Sequence, residues 1–423
     1  MKYKKTTLPN GVRVIFVPTK GNPSVTTMVI VETGSNYETK EQNGLSHFLE
    51  HMCFKGTTTR PTALEIAREL DGMGAYNNAF TSHELTGYYA KAEKKHFKKV
   101  LELLSDMYLN PVFPKEDLEK ERGVILEEIS MYEDQPQSQV WVELMKLLYG
   151  DVPAGRPVIG PRENIKRFQH KDFVEYRKLH YVAEKTIVVV AGDMSFGSVL
   201  SEVRNNFKNI PKDKRALKLV VKEKQDKSGL RIQKKKTSQA HLAFAFRSYD
   251  AHDKRLPALN VLTAVLGGGM SGRLWQKMRQ ELGACYYIYA EHEELTDHGF
   301  LAIATGINAV RTEEVIRAIL AECLKLAETP VLDEELEKAK EYYLGHLFMG
   351  LETTNSLAEF YAMEEVTSGK PKSPLDIEKA VRQVTAKEVM EAAKDLFKNE
   401  KLNLAIVGNI SNPKAVKKVL TLK

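Results

Sequence analysis

Apolar and polar positions along this chain follow a pattern that occurs twice. Val25-Thr26-Thr27-Met28-Val29-Ile30-Val31 reads as a strand near the start of the first half, and Thr186-Ile187-Val188-Val189-Val190-Ala191 as one that closes it before Gly192-Asp193. The second half opens on His241-Leu242-Ala243-Phe244-Ala245-Phe246 and closes on Leu402-Asn403-Leu404-Ala405-Ile406-Val407 before Gly408-Asn409. Both pairs are separated by about 216 residues, far too long a period for a solenoid, so the pattern implies duplication of a whole domain.

Between these strands the apolar spacing turns helical. It predicts helices over 63–73, 96–109 and 116–133 in the first half, and over 256–266, 272–282, 311–328, 333–349 and 386–397 in the second. Val12 to Val17, after the turn at Pro9-Asn10-Gly11, is a further short strand. Extended segments that follow one another directly argue for an α+β fold rather than a doubly wound sheet. The expected division is 1–208, a Lys-, Asp- and Glu-rich connection over 209–236 whose bulky apolar residues cluster at Leu217 to Val221, and 237–423.

The length of 423 residues suits two such domains, and the composition, 43% hydrophobic and 28% charged, is that of a globular protein. A net charge of +6 drawn from many charges of both signs leaves no basic stripe, which argues against nucleic acid as a partner. Lys94-Lys95 and Lys234-Lys235-Lys236 read as solvated faces. Cys53, Cys285 and Cys323 are distant in sequence and odd in number, so a disulfide framework is not expected and a reducing, cytoplasmic setting is. The basic start runs straight into a turn rather than an apolar secretory segment, and no run of about 18 apolar residues is present to span a membrane.

Candidate chemistry is concentrated in Asn43-Gly44-Leu45-Ser46-His47-Phe48-Leu49-Glu50-His51-Met52-Cys53-Phe54-Lys55-Gly56. Leu45, Phe48, Leu49 and Met52 form an apolar stripe at helical spacing, with Asn43 as the expected N-cap and Gly56 as the stop. On that helix His47 and His51 are one turn apart on one face, where two imidazoles can grip one metal ion. Glu50 borders the same face. It is badly placed to ligate alongside both histidines but well placed to reach a water on the metal, the position of a general base. Cys53 points away from the histidine face and reads as packing.

A catalytic metal site generally has a third protein ligand. The helix from about Pro114 to Tyr132 offers Glu121, Glu127 and Glu128, with Glu133 just beyond, and Leu118, Val124, Ile125 and Ile129 as its expected buried stripe. Glu121 and Glu128 share a face, whereas Glu127 is turned about 100° from Glu128. Spacing alone leaves the choice among these carboxylates open, since surface pairing with Lys and Arg explains acidic residues equally well.

With its H-x-x-E-H segment and the acidic helix that follows, the chain resembles the pitrilysin (M16) family of metallopeptidases, the inverzincin group, in its short two-domain form. The likeness runs from Leu8-Pro9-Asn10-Gly11 through the second half, which has no second H-x-x-E-H. The resemblance implies two homologous lobes of LuxS/MPP-like type, each a mostly antiparallel sheet flanked by helices, with the metal site in the first lobe only. In the family pattern about 76 residues separate the motif from the third ligand, which lands on Glu128, and Glu121 becomes the supporting acid seven positions earlier. The implied cofactor is one Zn²⁺ per chain, held by His47, His51 and Glu128.

The resemblance also implies that Arg279 and Tyr286, seven apart in the second lobe, act near the substrate carbonyl, and that Asn78, Ala79 and Phe80 belong to a strand edge that binds extended peptide. The expected activity is hydrolysis of unstructured peptides or precursor segments by a metal-activated water, with Glu50 as base, in a homodimer by analogy with short members of the family. An inactive structural relative and one subunit of a heteromeric peptidase are the alternatives. His83 and Glu84 read as structural. Gly267-Gly268-Gly269 reads as a turn, because no P-loop Lys-Ser/Thr follows it.

Overall fold

The computed structural model describes residues 2–213 and 216–423. Its first sheet has six strands: β1 (Lys4–Thr7), β2 (Arg13–Pro18), β3 (Ser24–Val31), β4 (Tyr76–Thr81), β5 (Thr86–Glu93) and β6 (Thr186–Gly192), in the spatial order β1-β2-β6-β3-β5-β4. The second sheet has five: β7 (Gly229–Lys234), β8 (Ala240–Ser248), β9 (Cys285–Glu294), β10 (Gly299–Ile307) and β11 (Leu402–Gly408), in the order β7-β11-β8-β10-β9. Without β1 the two orders are the same. β2 pairs parallel with β6 and β7 parallel with β11, and every other neighbouring pair is antiparallel. The duplication read from two strand pairs therefore extends to the whole topology, and each sheet is mostly antiparallel and flanked by helices.

β6 and β11 are buried at every position, as unbroken apolar runs should be in strands covered on both faces. What covers the second face decides the domain boundaries. The first-half helices that matter here are α1 (Leu45–Met52), α2 (Ala63–Gly72), α3 (Phe97–Leu109), α4 (Lys115–Asp134) and α5 (Pro136–Tyr149). Val140, Leu144 and Leu148 of α5 pack on Ala243, Ala245, Phe300, Ala302, Ala405 and Val407, which lie on the second sheet. The helix Thr354–Ser368, which comes from the second half, makes the reciprocal move. It lies on β3 and β6, with Thr354 Oγ1 2.9 Å from Thr26 Oγ1 and Arg13 Nη1 donating to Glu365 Oε1 at 3.0 Å.

The compact units are accordingly discontinuous. One takes the chain up to Ile129, then Arg156–Leu219 and Gly350–Ser373; the other takes Ser130–Gly155, Val220–Met349 and Pro374–Lys423. This departs from the contiguous division at 1–208 and 237–423, because each half contributes one helix to the other half's sheet. The segment expected as a plain connection, 209–236, also supplies β7, whose register on β11 runs from Gly229 opposite Asn403 to Lys234 opposite Gly408. No helix among the described residues is long and apolar enough to cross a membrane. The helix expected over 272–282 is a short turn, Arg273–Trp275, continued as a π-helix over Gln276–Glu281, so this stretch is wider than regular helical spacing implies.

Candidate metal centre

The metal helix, α1, forms as its apolar stripe requires. Leu45, Phe48, Leu49 and Met52 are buried, and Phe48 meets Phe173 edge-on at 4.9 Å. Its N-terminus is built differently from the expectation. Asn43 is not the cap; Gly44 holds that position at φ 99°, and its side-chain partner comes from further back. Buried Glu38 accepts from Gly44 N at 2.9 Å, Ser46 N at 2.6 Å and Asn43 Nδ2 at 3.1 Å. A carboxylate there satisfies the first free N–H groups and faces the positive end of the helix. Burial raises the Glu38 pKa, and these hydrogen bonds oppose it.

Gly44 has no room for a side chain. Its φ is left-handed, and a Cβ would lie 2.7 Å from the carbonyl oxygen of Ile159. Gly44→Ala is expected to cost more than about 1 kcal/mol of folding stability, read as a lowered urea midpoint with an unchanged slope.

From α1, His47 and His51 reach the same point. His47 Nε2 lies 3.7 Å and His51 Nε2 3.8 Å from Glu128 Oε2, and one ligand atom from each of the three residues lies within 4.8 Å of the other two. Burial, helped by the neighbouring His51, lowers the His47 pKa to about 3, so its imidazole is neutral. Two imidazoles and a carboxylate converge on one point, a donor set that suits a divalent cation. The spacing is slightly wider than the roughly 3.4 Å between ligands around tetrahedral zinc with bonds near 2.0–2.1 Å. The residues present therefore fit Zn²⁺. His47 Nδ1 is buried with no hydrogen-bond partner.

Glu128 comes from α4, whose buried residues Leu118, Glu121, Ile125 and Ile129 turn the Glu121–Glu128 face inward. Glu127 and Glu133 are exposed, and they take no part in the cluster. Val124, expected in the buried stripe, is half exposed, because it sits on the outer flank beyond Glu128. Glu121 does not join the cluster. Its Oε2 lies 3.1 Å from His51 Nδ1 and its Oε1 2.7 Å from Lys55 Nζ. Burial alone would raise its pKa, but the contacts with His51 and Lys55 outweigh burial and lower it. A carboxylate on the far nitrogen of a ligand histidine fixes the ring and its tautomer.

Glu50 lies beside the cluster and accepts a hydrogen bond from Thr81 Oγ1 at 2.5 Å. Burial raises its pKa, opposed by Thr81 and His51. Cys53 is buried and is contacted by the Tyr88 hydroxyl at 3.4 Å; burial pushes its thiol up to about 12, as suits packing rather than ligation. Lys55, Glu38 and Thr81 were not singled out by sequence reasoning. For Thr81 a signal existed: it alternates with buried-side Ala79 along a strand.

Asn78, Ala79 and Phe80 lie on β4, which ends the sheet order and so has one unpaired edge. Phe80 packs near Tyr89 at 6.4 Å between centroids, and the Asn78 side chain accepts from Ala79 N at 2.9 Å. His83 Nδ1 lies 3.0 Å from Ser35 Oγ, and Glu84 pairs with Lys218. Arg279 and Tyr286 belong to the second compact unit. Arg279 Nη1 donates to the carbonyls of Cys285 and Tyr286 at 3.0 Å each, and its guanidinium lies 5.1 Å from the Tyr286 ring. Tyr286 itself is 74% exposed.

The insulinase model, peptidase family M16, matches residues 13–162, and the model of the peptidase M16 inactive domain matches residues 167–343. The uncharacterized zinc protease YmxG of Bacillus subtilis is 36% identical over 412 residues, covering 97% of this chain and 99% of that protein. An uncharacterized zinc protease of Streptomyces coelicolor is 30% identical over 418 residues, covering 97% of this chain and 91% of its own. Among solved structures, a protease from Helicobacter pylori superposes with a TM-score of 0.89 at 23% identity, over 96% of this chain and 99% of that one. A Pseudomonas fluorescens structure described as a peptidase M16 inactive domain superposes at 0.90 and 18% identity over the whole of both chains. These two likenesses concern the fold.

Proposed function

The chain belongs to peptidase family M16, and on that premise we propose that it is a zinc-dependent endopeptidase acting on unstructured peptides, with Glu50 as general base. The observation that carries this reading is the convergence of His47, His51 and Glu128 within 4.8 Å beside the Glu50 carboxylate. These three residues would hold one Zn²⁺ per chain. When bound, Zn²⁺ supplies Lewis-acid polarisation of the scissile carbonyl and acidifies a water.

The remaining work belongs to the chain. Glu50 takes a proton from the attacking water and passes it to the leaving amine. Glu121 orients His51. The free edge of β4 at Asn78, Ala79 and Phe80 hydrogen-bonds an extended substrate through its backbone, a mode that needs no particular sequence. Arg279 and Tyr286 keep the role of donors to the substrate carbonyl oxygen that the family resemblance assigns them.

The test is hydrolysis of a quenched, unstructured peptide of about ten residues, with and without chelator. Cleavage that stops on chelation and returns with zinc supports the reading. No cleavage by the zinc-loaded chain alone overturns it in favour of a structural relative or of one subunit of a heteromer. Native mass checks the proposed homodimer in the same sample. Glu121→Ala is expected to weaken zinc binding about 10- to 100-fold without altering its stoichiometry at saturation, measured by chelator competition.

A further inference from the structure

We propose that Thr81 is a positioning residue for Glu50, its hydroxyl holding the carboxylate where the base must stand. The inference rests on the reading of Glu50 as general base.

Thr81 ends β4, where it stands opposite Thr86 of β5. Side chains alternate between the faces of a strand, so Ala79 and Thr81 share one face and Asn78 and Phe80 the other. Ala79 packs against the core that contains Phe48, Leu49 and Met52 of α1. That puts Thr81 on the side of the metal helix, and its Oγ1 meets Glu50 Oε2 at 2.5 Å.

The direction of this hydrogen bond follows from its neighbours. Thr86 Oγ1 is the other oxygen near the Thr81 hydroxyl, at 3.4 Å. Thr86 gives its single proton to the carbonyl of Thr33, at 3.0 Å, and a carbonyl only accepts. Glu50 has to be ionised to act as the base, and an ionised carboxylate has no proton to give either. The Thr81 proton therefore goes to Glu50, at the much shorter of its two contacts.

Oε2 of Glu50 is thus tied to the sheet, and Oε1 is left to receive the proton of the attacking water. A glutamate on a helix face has three rotatable bonds beyond Cα. Fixing one oxygen removes the orientations in which the other misses its target, and accurate placement of the reacting group is worth a large factor in rate. Thr81 acts through Glu50 and carries no proton of the reaction itself.

The test uses the zinc-loaded full chain and the quenched peptide. Thr81→Val keeps the shape and removes the donor. It is expected to lower kcat about ten- to a hundredfold, with KM, zinc stoichiometry and melting temperature unchanged. Thr81→Ser is expected to recover kcat to within about threefold of wild type. In a Glu50→Gln background, Thr81→Val is expected to cost nothing further, since the group it positions no longer acts as a base. Should the valine variant fold poorly, Thr81→Ala carries the same comparison.

Wild-type kcat in Thr81→Val overturns the inference. So does a loss that Thr81→Ser fails to repair, or one that persists at full size beside Glu50→Gln. Wild-type chain that cleaves nothing overturns the proposed function itself, whereas an active wild type with an indifferent Thr81 removes this inference alone.

Discussion

Glu50→Gln is expected to lower kcat for peptide cleavage by about 10²–10⁴ while the chain still binds zinc. The substitution changes almost nothing else. Gln has the size of Glu, and its amide oxygen still accepts from Thr81, which sits 2.5 Å from Glu50 Oε2. What is lost is the capacity to take a proton from water and return it to the leaving amine. His47, His51 and Glu128 converge without help from Glu50, so zinc content should stay at one per chain by metal analysis. Full hydrolysis by a zinc-loaded glutamine variant would refute Glu50 as the base. Loss of zinc would show instead that Glu50 helps to hold the metal.

The second effect concerns stability. Arg60 is 5% exposed and sits among three carboxylates. Its Nε pairs with Glu69 of α2 at 2.9 Å, its Nη2 with Glu102 of α3 at 2.7 Å, and its Nη1 with Asp106 of α3 at 2.7 Å. Glu69 and Glu102 retain contact with water, but Asp106 is 6% exposed and depends on its partners. It also accepts from Thr57 Oγ1 at 2.6 Å, from Asn110 Nδ2 at 2.9 Å, and from Thr59. This cluster ties the chain leaving α1 to the two helices that follow.

Arg60→Ala strands a buried charge and is expected to cost about 3–5 kcal/mol, seen as a large fall in the urea midpoint. Arg60→Lys should recover little, because a point charge cannot reproduce the guanidinium fork. Replacing Arg60 with Met and Asp106 with Leu together should cost markedly less than Arg60→Ala alone, since no buried unpaired charge remains and Glu69 and Glu102 keep Lys99 and water. A single substitution as mild as the double would disprove the charge-pairing account.

Some of this was readable from residue order. His47 and His51 share a face on any α-helix, and the apolar stripe Leu45, Phe48, Leu49 and Met52 required a helix there. The strands β3, β6, β8 and β11 announced themselves as apolar runs at a common offset, and the duplicated topology follows them. The π-helical stretch around Arg279 looks like regular helix in the sequence, because spacing over ten residues barely separates the two.

Other features turned on contacts between distant segments. Glu121, Glu127 and Glu128 could not be ranked from spacing, since the choice depends on which face of α4 meets α1. Leu118, Ile125 and Ile129 settle that face by burial. Asn43 was the natural local cap, but Glu38, which folds back from beyond the turn, takes the N–H groups of Gly44 and Ser46. Helix α5 was amphipathic in either case, yet periodicity does not say which sheet receives its apolar face. Leu230 and Ile232 of β7 lie among charged neighbours and look like linker until β11 pairs with them.

Short-range spacing and apolar periodicity thus determined the helix that carries His47, Glu50 and His51, the α+β class and the duplication, because these need only the geometry of one helical turn or one strand. Tertiary structure decided the partner of each face: Glu128 over its neighbours, Glu121 on His51, Thr81 on Glu50, and the helices exchanged between the two sheets. Those choices follow from which buried surfaces meet, and surfaces that meet from separate segments of the chain leave no mark in local spacing.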